Sequence, residues 1–335
     1  MVEPTTTWSV VAMVDEPPAL LQAFVAWHLG LGAAEIFLYF DRPDDPAQHM
    51  FAHLPQVRVV ACDAAHWSAL GKSRPARHQV RQVQNARHAY ALTRSAWLLH
   101  ADADEFVWVE GSVADCLAGV VPAADCFVLP VAERIHRPGE NAGTILDGPF
   151  RRPFPGRFEL GQRLFGPTYA LTNRGLTGHL LGKAFVRTGR DLRLSIHRPR
   201  HGELPEPQIA RADRTQLELL HFDGLTPEYW IYKLMRMASA LVHRNGMPPS
   251  RHRRAQADAL LANPDGALGL YDQLKVIDDD TRAILLAQDL FAAPSFDPQG
   301  ALAQFFPGMS VDLSPGAIDA WLRDHKSDIR AFLRG

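Results

Sequence analysis

Cysteine is scarce in this 335-residue chain: Cys62, Cys116 and Cys126 are the only three, and no C-x-x-C pair occurs. A disulfide framework and a structural zinc knuckle are therefore not expected, and a reducing, cytoplasmic setting is. No apolar run approaches the roughly 18 residues of a membrane-spanning helix. The opening MVEPTTTWSVVAMVDEPP carries neither a basic segment nor a long apolar one, so a secretory signal is not expected. An excess of one charge is also missing. Lys+Arg 35 against Asp+Glu 37 leaves −2, which speaks against a nucleic-acid partner. Lysine itself is rare, five of those 35 basic residues, and with the abundant Ala, Pro and Gly this reads as compositional bias. Apolar residues, by contrast, make up 47%, enough for a large folded core and too many for a disordered chain.

Strand and helix patterns alternate in the first half. Ser9–Val14, Glu35–Phe40, Val57–Cys62, Ala96–Ala101 and Cys126–Val131 are short apolar runs of strand type. Helical spacing follows Pro17-Pro18, with Leu20, Leu21, Phe24, Val25, His28 and Leu31, and returns over about 76–93. This order predicts an α/β fold: a mostly parallel sheet flanked by helices. Ligands of such sheets sit beyond the carboxyl ends of the strands, where Asp15, Asp41, Asp63 and Asp102 fall. From about Pro138 to Gly182 periodicity dissolves into Gly, Pro and Arg. That stretch is expected to be a mobile cover over the acceptor side. Strand patterns return at Lys183–Val186, Leu192–Ile196 and Leu217–Phe222. After Pro227 the chain reads as helical to its end, over Tyr229–His243, Arg251–Leu261 and Pro315–Phe332. The expected organisation is a catalytic domain over 1–240 and a helical C-terminal extension over 241–335.

The sharpest feature is Trp97-Leu98-Leu99-His100-Ala101-Asp102-Ala103-Asp104-Glu105-Phe106, two aspartates one residue apart where an apolar strand ends. A turn there lets both carboxylates converge. An acidic, all-oxygen site suits a hard divalent cation, Mn²⁺ or Mg²⁺, completed by substrate phosphates and water.

This block resembles family 2 glycosyltransferases of GT-A (Rossmann-like) fold, most closely the branch related to family 92. The helix segment Arg81-Gln82-Val83-Gln84-Asn85 and the block from Trp27-His28 to Phe40-Asp41 strengthen the resemblance, which covers about residues 9–240. Gly182-Lys183-Ala184-Phe185-Val186-Arg187 and Ser195-Ile196-His197 are similar to a later stretch of that branch. Two departures stand out. Only Glu16 of Val14-Asp15-Glu16 matches a Lys-Asn-Glu usual after the first strand. The stretch Val131–Gly139 lacks the usual Trp and Phe-Gly of the acceptor side.

The resemblance implies transfer of a sugar from a nucleoside-diphosphate sugar to a glycan or other hydroxyl acceptor, with inversion. It allows peripheral membrane contact through the acceptor. Asp102, Asp104 and His221 are then expected to hold the metal. Asp15, Glu16, Asp41, Arg81, Asn85, Lys183, His197, Lys233 and Arg236 are expected around the nucleotide sugar, with Lys or Arg near its diphosphate. An inverting transfer also needs a general base. Glu105, Glu133 and Asp223 are the candidates.

Other readings fit less well. A haloacid-dehalogenase-type phosphatase would place its nucleophile on an early strand and a Thr or Val soon after its second aspartate, where this chain has Glu105-Phe106. A sugar nucleotidyltransferase would show a glycine-rich basic loop after the first strand, where this chain has Asp15-Glu16-Pro17-Pro18. Two aspartates at i and i+2 do not give the opposed carboxylates of a glycosidase. A degenerate relative that binds nucleotide sugar without transfer is the non-enzymatic alternative.

Overall fold

A computed structural model of the chain describes residues 6–138, 143–156, 158–201, 206–242 and 250–326. In chain order, the first stretch forms β1 (Trp8–Val14), α1 (Pro18–Gly30), β2 (Glu35–Phe40), β3 (Val57–Ala61), α2 (Ala64–Ala69) and α3 (His78–Leu92). Then come β4 (Trp97–His100), β5 (Glu105–Val109), α4 (Val113–Ala118), β6 (Cys126–Leu129), β7 (Val131–Arg134), β8 (Phe150–Arg151) and α5 (Phe158–Phe165). Five short strands come next: β9 (Lys183–Arg187), β10 (Leu192–Arg193), β11 (Arg200–His201), β12 (Ile209–Arg211) and β13 (Leu217–His221). The remainder holds α6 (Pro227–Val242), α7 (Arg251–Ala262), α8 (Ala267–Lys275), α9 (Asp279–Ala287), β14 (Phe291–Ala292), α10 (Pro298–Phe305) and α11 (Pro315–His325).

Two compact units divide these elements. The first comprises Met1–Pro130, Leu181–Leu219 and Phe296–Val311, the second Val131–Leu180, Leu220–Ser295 and Asp312–Gly335.

The first unit is built on a seven-stranded sheet of order β12-β6-β9-β4-β1-β2-β3. All neighbours are parallel except β9, which runs antiparallel to both β4 and β6. β1 and β4 are buried at every residue, which is why they read as unbroken apolar runs rather than alternating ones. The two faces of β1 serve different helices. Val11 and Met13 join a core with Ala86 and Ala89 of α3, Trp67 of α2, and Phe37, Tyr39 and Leu98. Trp8, of the opposite parity, meets the His28 ring of α1 edge-on. The predicted α/β sheet, mostly parallel and flanked by helices, is thus present.

α1 starts at Pro18, where a missing N–H costs little, and the chain leaves it through Gly32 at φ +91°. It is buried well beyond one stripe because α10 covers its outer side: the Gly30 backbone comes close to Ala301 and Phe305, and Trp27 packs on Phe296.

The second unit pairs β8 antiparallel with β7 and β14, Arg151 lying opposite both Glu133 and Phe291. One apolar cluster gathers Trp230, Leu234, Leu260, Tyr271 and Leu274 of α6, α7 and α8. Another gathers Ile135, Phe154, Ile277, Leu285 and Leu290.

Two expectations need correction. The stretch after Pro138 is not uniformly irregular: it contains α5 and a 3-10 segment, Gly166–Leu171. Leu160 and Leu164 of α5 pack against the cluster around Phe154, and Thr177 at its far end is fully buried. The tail is not helical throughout, since β14 interrupts it. Glu105, the last residue of the acidic turn, also opens a further strand, β5, for which the sequence reading has no counterpart. The expected extensions of the last helices to His243 and Phe332, and Gly139–Ala142 of the loop, lie outside the described residues. Among the described residues no helix is long and apolar enough to cross a membrane.

Candidate functional site

In the first unit, successive crossovers place β2 and β3 on one side of β1 and β4 on the other. A parallel sheet that changes direction in this way opens a crevice at the carboxyl ends of the two flanking strands. Here those strands are β1 and β4. β1 ends in Asp15-Glu16 and β4 in Asp102-Ala103-Asp104-Glu105.

The turn after β4 is tightly bonded. The Ala101 N–H donates to the Val11 carbonyl at 3.1 Å and the Glu105 N–H to the Asp102 carbonyl at 3.0 Å. The Asp102 N–H donates to Glu105 Oε2 at 2.8 Å. Asp102 keeps 34% of its side chain exposed, while each of its oxygens carries a fixed donor: Gln82 Nε2 at 2.7 Å and Lys183 Nζ at 2.9 Å. Lys183 also pairs with Glu105 Oε2 at 3.2 Å, and both of those side chains are 0% exposed. Asp104 is buried beside them. Burial alone would lower the Lys183 ammonium, but Asp102 and Glu105 lift it above the ordinary lysine value. Burial, aided by Lys183, pushes His100 down to about 4, so this strand-end imidazole is neutral at physiological pH.

Lys183 reaches this position through backbone geometry. β4 and β9 pair with Leu99 opposite Phe185, a register that brings Lys183 level with Ala101. Gly182 enters β9 at φ +60°, with its Cα so close to the Leu129 carbonyl that a Cβ would lie 2.0 Å from the oxygen. The His197 imidazole braces the same glycine, its Nδ1 lying 3.0 Å from the Gly182 carbonyl oxygen.

The remaining acids of this rim have separate duties. Asp41 follows β2 and binds Arg81 through both oxygens, at 2.7 and 2.6 Å, and Arg74 at 2.9 Å. Burial would raise its carboxyl, but bonds from His78 and Arg81 and the charge of Arg74 hold it well below the usual carboxylate range. Asp15 lies 3.8 Å from Arg42, and its N–H donates to Glu16. Asp63 caps α2 by accepting the His66 N–H. Asn85, expected to share a pocket with Arg81, is fully buried and instead braces His66 and Cys62. Gln82, one residue along from Arg81, is the α3 side chain that reaches the acidic turn. Its place within the Arg81–Asn85 block was the available signal.

The second unit holds the other expected residues. Glu133 accepts the Thr177 N–H and hydroxyl, the Gly178 N–H at 2.6 Å and Lys275 at 2.9 Å. Asp223 takes the Thr177 hydroxyl, Arg253 at 2.6 Å and Lys233 at 3.3 Å. Burial favours protonation of both acids, yet Lys275 holds Glu133, and Arg253 with Lys233 holds Asp223, below the ordinary value. His221, at the end of β13, is buried and stacks on His179 with ring centroids 5.2 Å apart. Gly178 has no room for a Cβ, which would fall 2.8 Å from the His221 ring and 2.9 Å from Glu133. Arg236 is exposed and lies over the Tyr232 ring. Glu105, Glu133 and Asp223 are at most 1% exposed, so in this conformation none of them faces an acceptor hydroxyl.

Among the described residues no group of three or more His, Cys, Asp or Glu is arranged to hold a metal ion. The turn offers less than a complete cage: two carboxylates, the part-exposed Asp102 and the buried Asp104, two residues apart in sequence. That donor set fits a hard cation that takes one or two carboxylates from protein and completes its shell with phosphate and water.

No protein-family model matches the chain, and no curated protein matches it. Solved structures with weak similarity include S. aureus TarS residues 1–349 in complex with UDP-GlcNAc, at 12% identity over 98% of this chain and 88% of that one, with a TM-score of 0.34. HddC from Yersinia pseudotuberculosis is 10% identical over 38% of this chain, with a TM-score of 0.28. A 4-diphosphocytidyl-2C-methyl-D-erythritol synthase is 15% identical over 41%, with a TM-score of 0.25. The chain spans 60% and 66% of the lengths of these last two. Similarities this weak add nothing to the assignment of the site, which stands on its own geometry.

Proposed function

We propose that the chain is a GT-A-type glycosyltransferase that moves a sugar from a nucleoside-diphosphate sugar to a hydroxyl acceptor. One observation carries this reading: an Asp-x-Asp turn at the carboxyl end of β4, at the point where the sheet order reverses. A nucleotide in that crevice meets Asp15 and Glu16 after β1 on one wall and Asp102 and Asp104 on the other. Carboxylates there accept ribose hydroxyl or base N–H donors.

Asp102 and Asp104 would hold a divalent cation, Mn²⁺ or Mg²⁺, in company with the diphosphate. Bound there, it supplies Lewis-acid stabilisation of the charge that gathers on the leaving diphosphate. The chain itself fixes the carboxylates beforehand. Gln82 and Lys183 hold Asp102, and Glu105 holds the turn backbone, so little reorganisation is needed when substrate arrives. The bidentate Asp41–Arg81 pair fixes the end of β2 beside the same crevice.

The test is an assay of nucleotide-sugar hydrolysis and transfer, with Mn²⁺, for the native chain and for Asp102→Asn and Asp104→Asn. Loss of about 10²-fold or more in each variant, with a cooperative melt showing that the fold is retained, is expected, as for removal of one electrostatic contact to a transition state. Full activity of both variants at limiting Mn²⁺ would refute the reading.

A further inference from the structure

We infer that Lys183 is a positioning residue that acts on the nucleotide site through Asp102, and not a lysine that grips the diphosphate itself. The inference rests on the reading that the Asp102–Asp104 turn binds a nucleoside diphosphate.

Three observations carry it. Lys183 has no exposed surface, so a ligand in the crevice does not reach its ammonium. Its Nζ lies 2.9 Å from Asp102 Oδ2 and 3.2 Å from Glu105 Oε2, a bridge between the exposed acid and the buried one. Glu105 Oε2 in turn accepts the Asp102 N–H at 2.8 Å, so one ammonium closes a ring of contacts that ties the Asp102 side chain to its own backbone. Gln82 fixes the other Asp102 oxygen at 2.7 Å. The carboxylate that faces the crevice therefore has its rotamer and its tilt set from behind.

The residue type agrees with this task. In a chain where thirty of 35 basic residues are arginine, the bridging position holds one of the five lysines. A compact ammonium with three donors fits between two carboxylates, whereas a planar guanidinium presents a wide fork. Gly182 and His197 place the start of β9 so that this ammonium meets the turn. The charge matters too. Asp102, Asp104 and Glu105 put three carboxylates in one turn, and Lys183 offsets part of their mutual repulsion without approaching the ligand.

A double-mutant cycle separates positioning from direct contact. UDP, GDP, ADP and CDP are titrated by calorimetry, with Mn²⁺, into the native chain, and the tightest binder is kept as probe. It is then titrated into Lys183→Met, Asp102→Asn and the double variant, with thermal melting to confirm folding. If Lys183 acts through Asp102, each single change weakens binding about tenfold and the double variant is no weaker than Asp102→Asn alone. A product of the two losses in the double variant would mean that Lys183 meets the ligand independently and would overturn the inference. Unchanged binding by Asp102→Asn, or no binding of any diphosphate by the native chain, would overturn the site reading and this inference with it. Should Lys183→Met fail to fold, Lys183→Met/Glu105→Gln removes the buried cation and its buried anion together. The same non-additivity with Asp102→Asn is expected in that background, and additivity there overturns the inference equally.

Discussion

Two of the five lysines have no exposed surface, and each lies between two carboxylates: Lys183 between Asp102 and Glu105, Lys275 between Glu133 and Asp223. Breaking such a pair from one side leaves a buried charge without its partner, at a cost of about 3–5 kcal/mol. Lys275→Met is therefore expected to lower the unfolding free energy by that amount, seen as a lower denaturant midpoint without a change of slope in an equilibrium titration. Asp319 makes the opposite case. Burial, with Glu228 adding to it, raises its carboxyl to about 6, against the hydrogen bond from Thr226. A carboxyl held above its unfolded value contributes stability when protonated and loses it as pH rises through 6. Asp319→Asn should then raise stability by about 1–2 kcal/mol at pH 8 and leave it unchanged near pH 4. Equal effects at both pH values in paired melts would contradict this.

At the scale of elements, Thr177 and Gly178 tie the end of the Gly/Pro-rich stretch to the buried Glu133 carboxylate. Their amides should exchange slowly with solvent before any ligand is added, and no faster or slower after it. Rapid exchange in the free protein, measured by mass spectrometry, would show that this end of the segment is mobile after all. The sequence signal for the central strands was strong because β1 and β4 are buried on both faces and so run apolar without interruption. β5 was hidden for the opposite reason. It begins with an acid, Glu105, two residues after Ala103, and a charged first residue reads as turn unless its buried lysine partner is known. α5 has apolar residues at Leu160, Leu164 and Phe165, a helical spacing too short to stand out among Gly, Pro and Arg. In the site, the positions of Asp102 and Asp104 at a strand end were legible. The neighbours of Asn85 were not. Its i, i+4 spacing from Arg81 fixes a shared helix face but not what that face touches, and the structure puts His66 and Cys62 there.

For the whole molecule, both units carry carboxylates held below their ordinary range by cations: Asp41 in the first, Glu133 and Asp223 in the second. A depressed carboxyl contributes stability above its unfolded pKa and loses it as pH falls toward the folded value. Acid unfolding should therefore set in below about pH 4. Calorimetry of Mn²⁺ alone, of a nucleoside diphosphate alone and of both together shows whether the turn after β4 binds a diphosphate together with a divalent cation. With only one or two protein carboxylates for the ion, each should bind weakly alone and the pair saturably and at least about tenfold tighter, an enhancement lost in Asp104→Asn. Equal binding of the diphosphate with and without Mn²⁺, unchanged in Asp104→Asn, would contradict it.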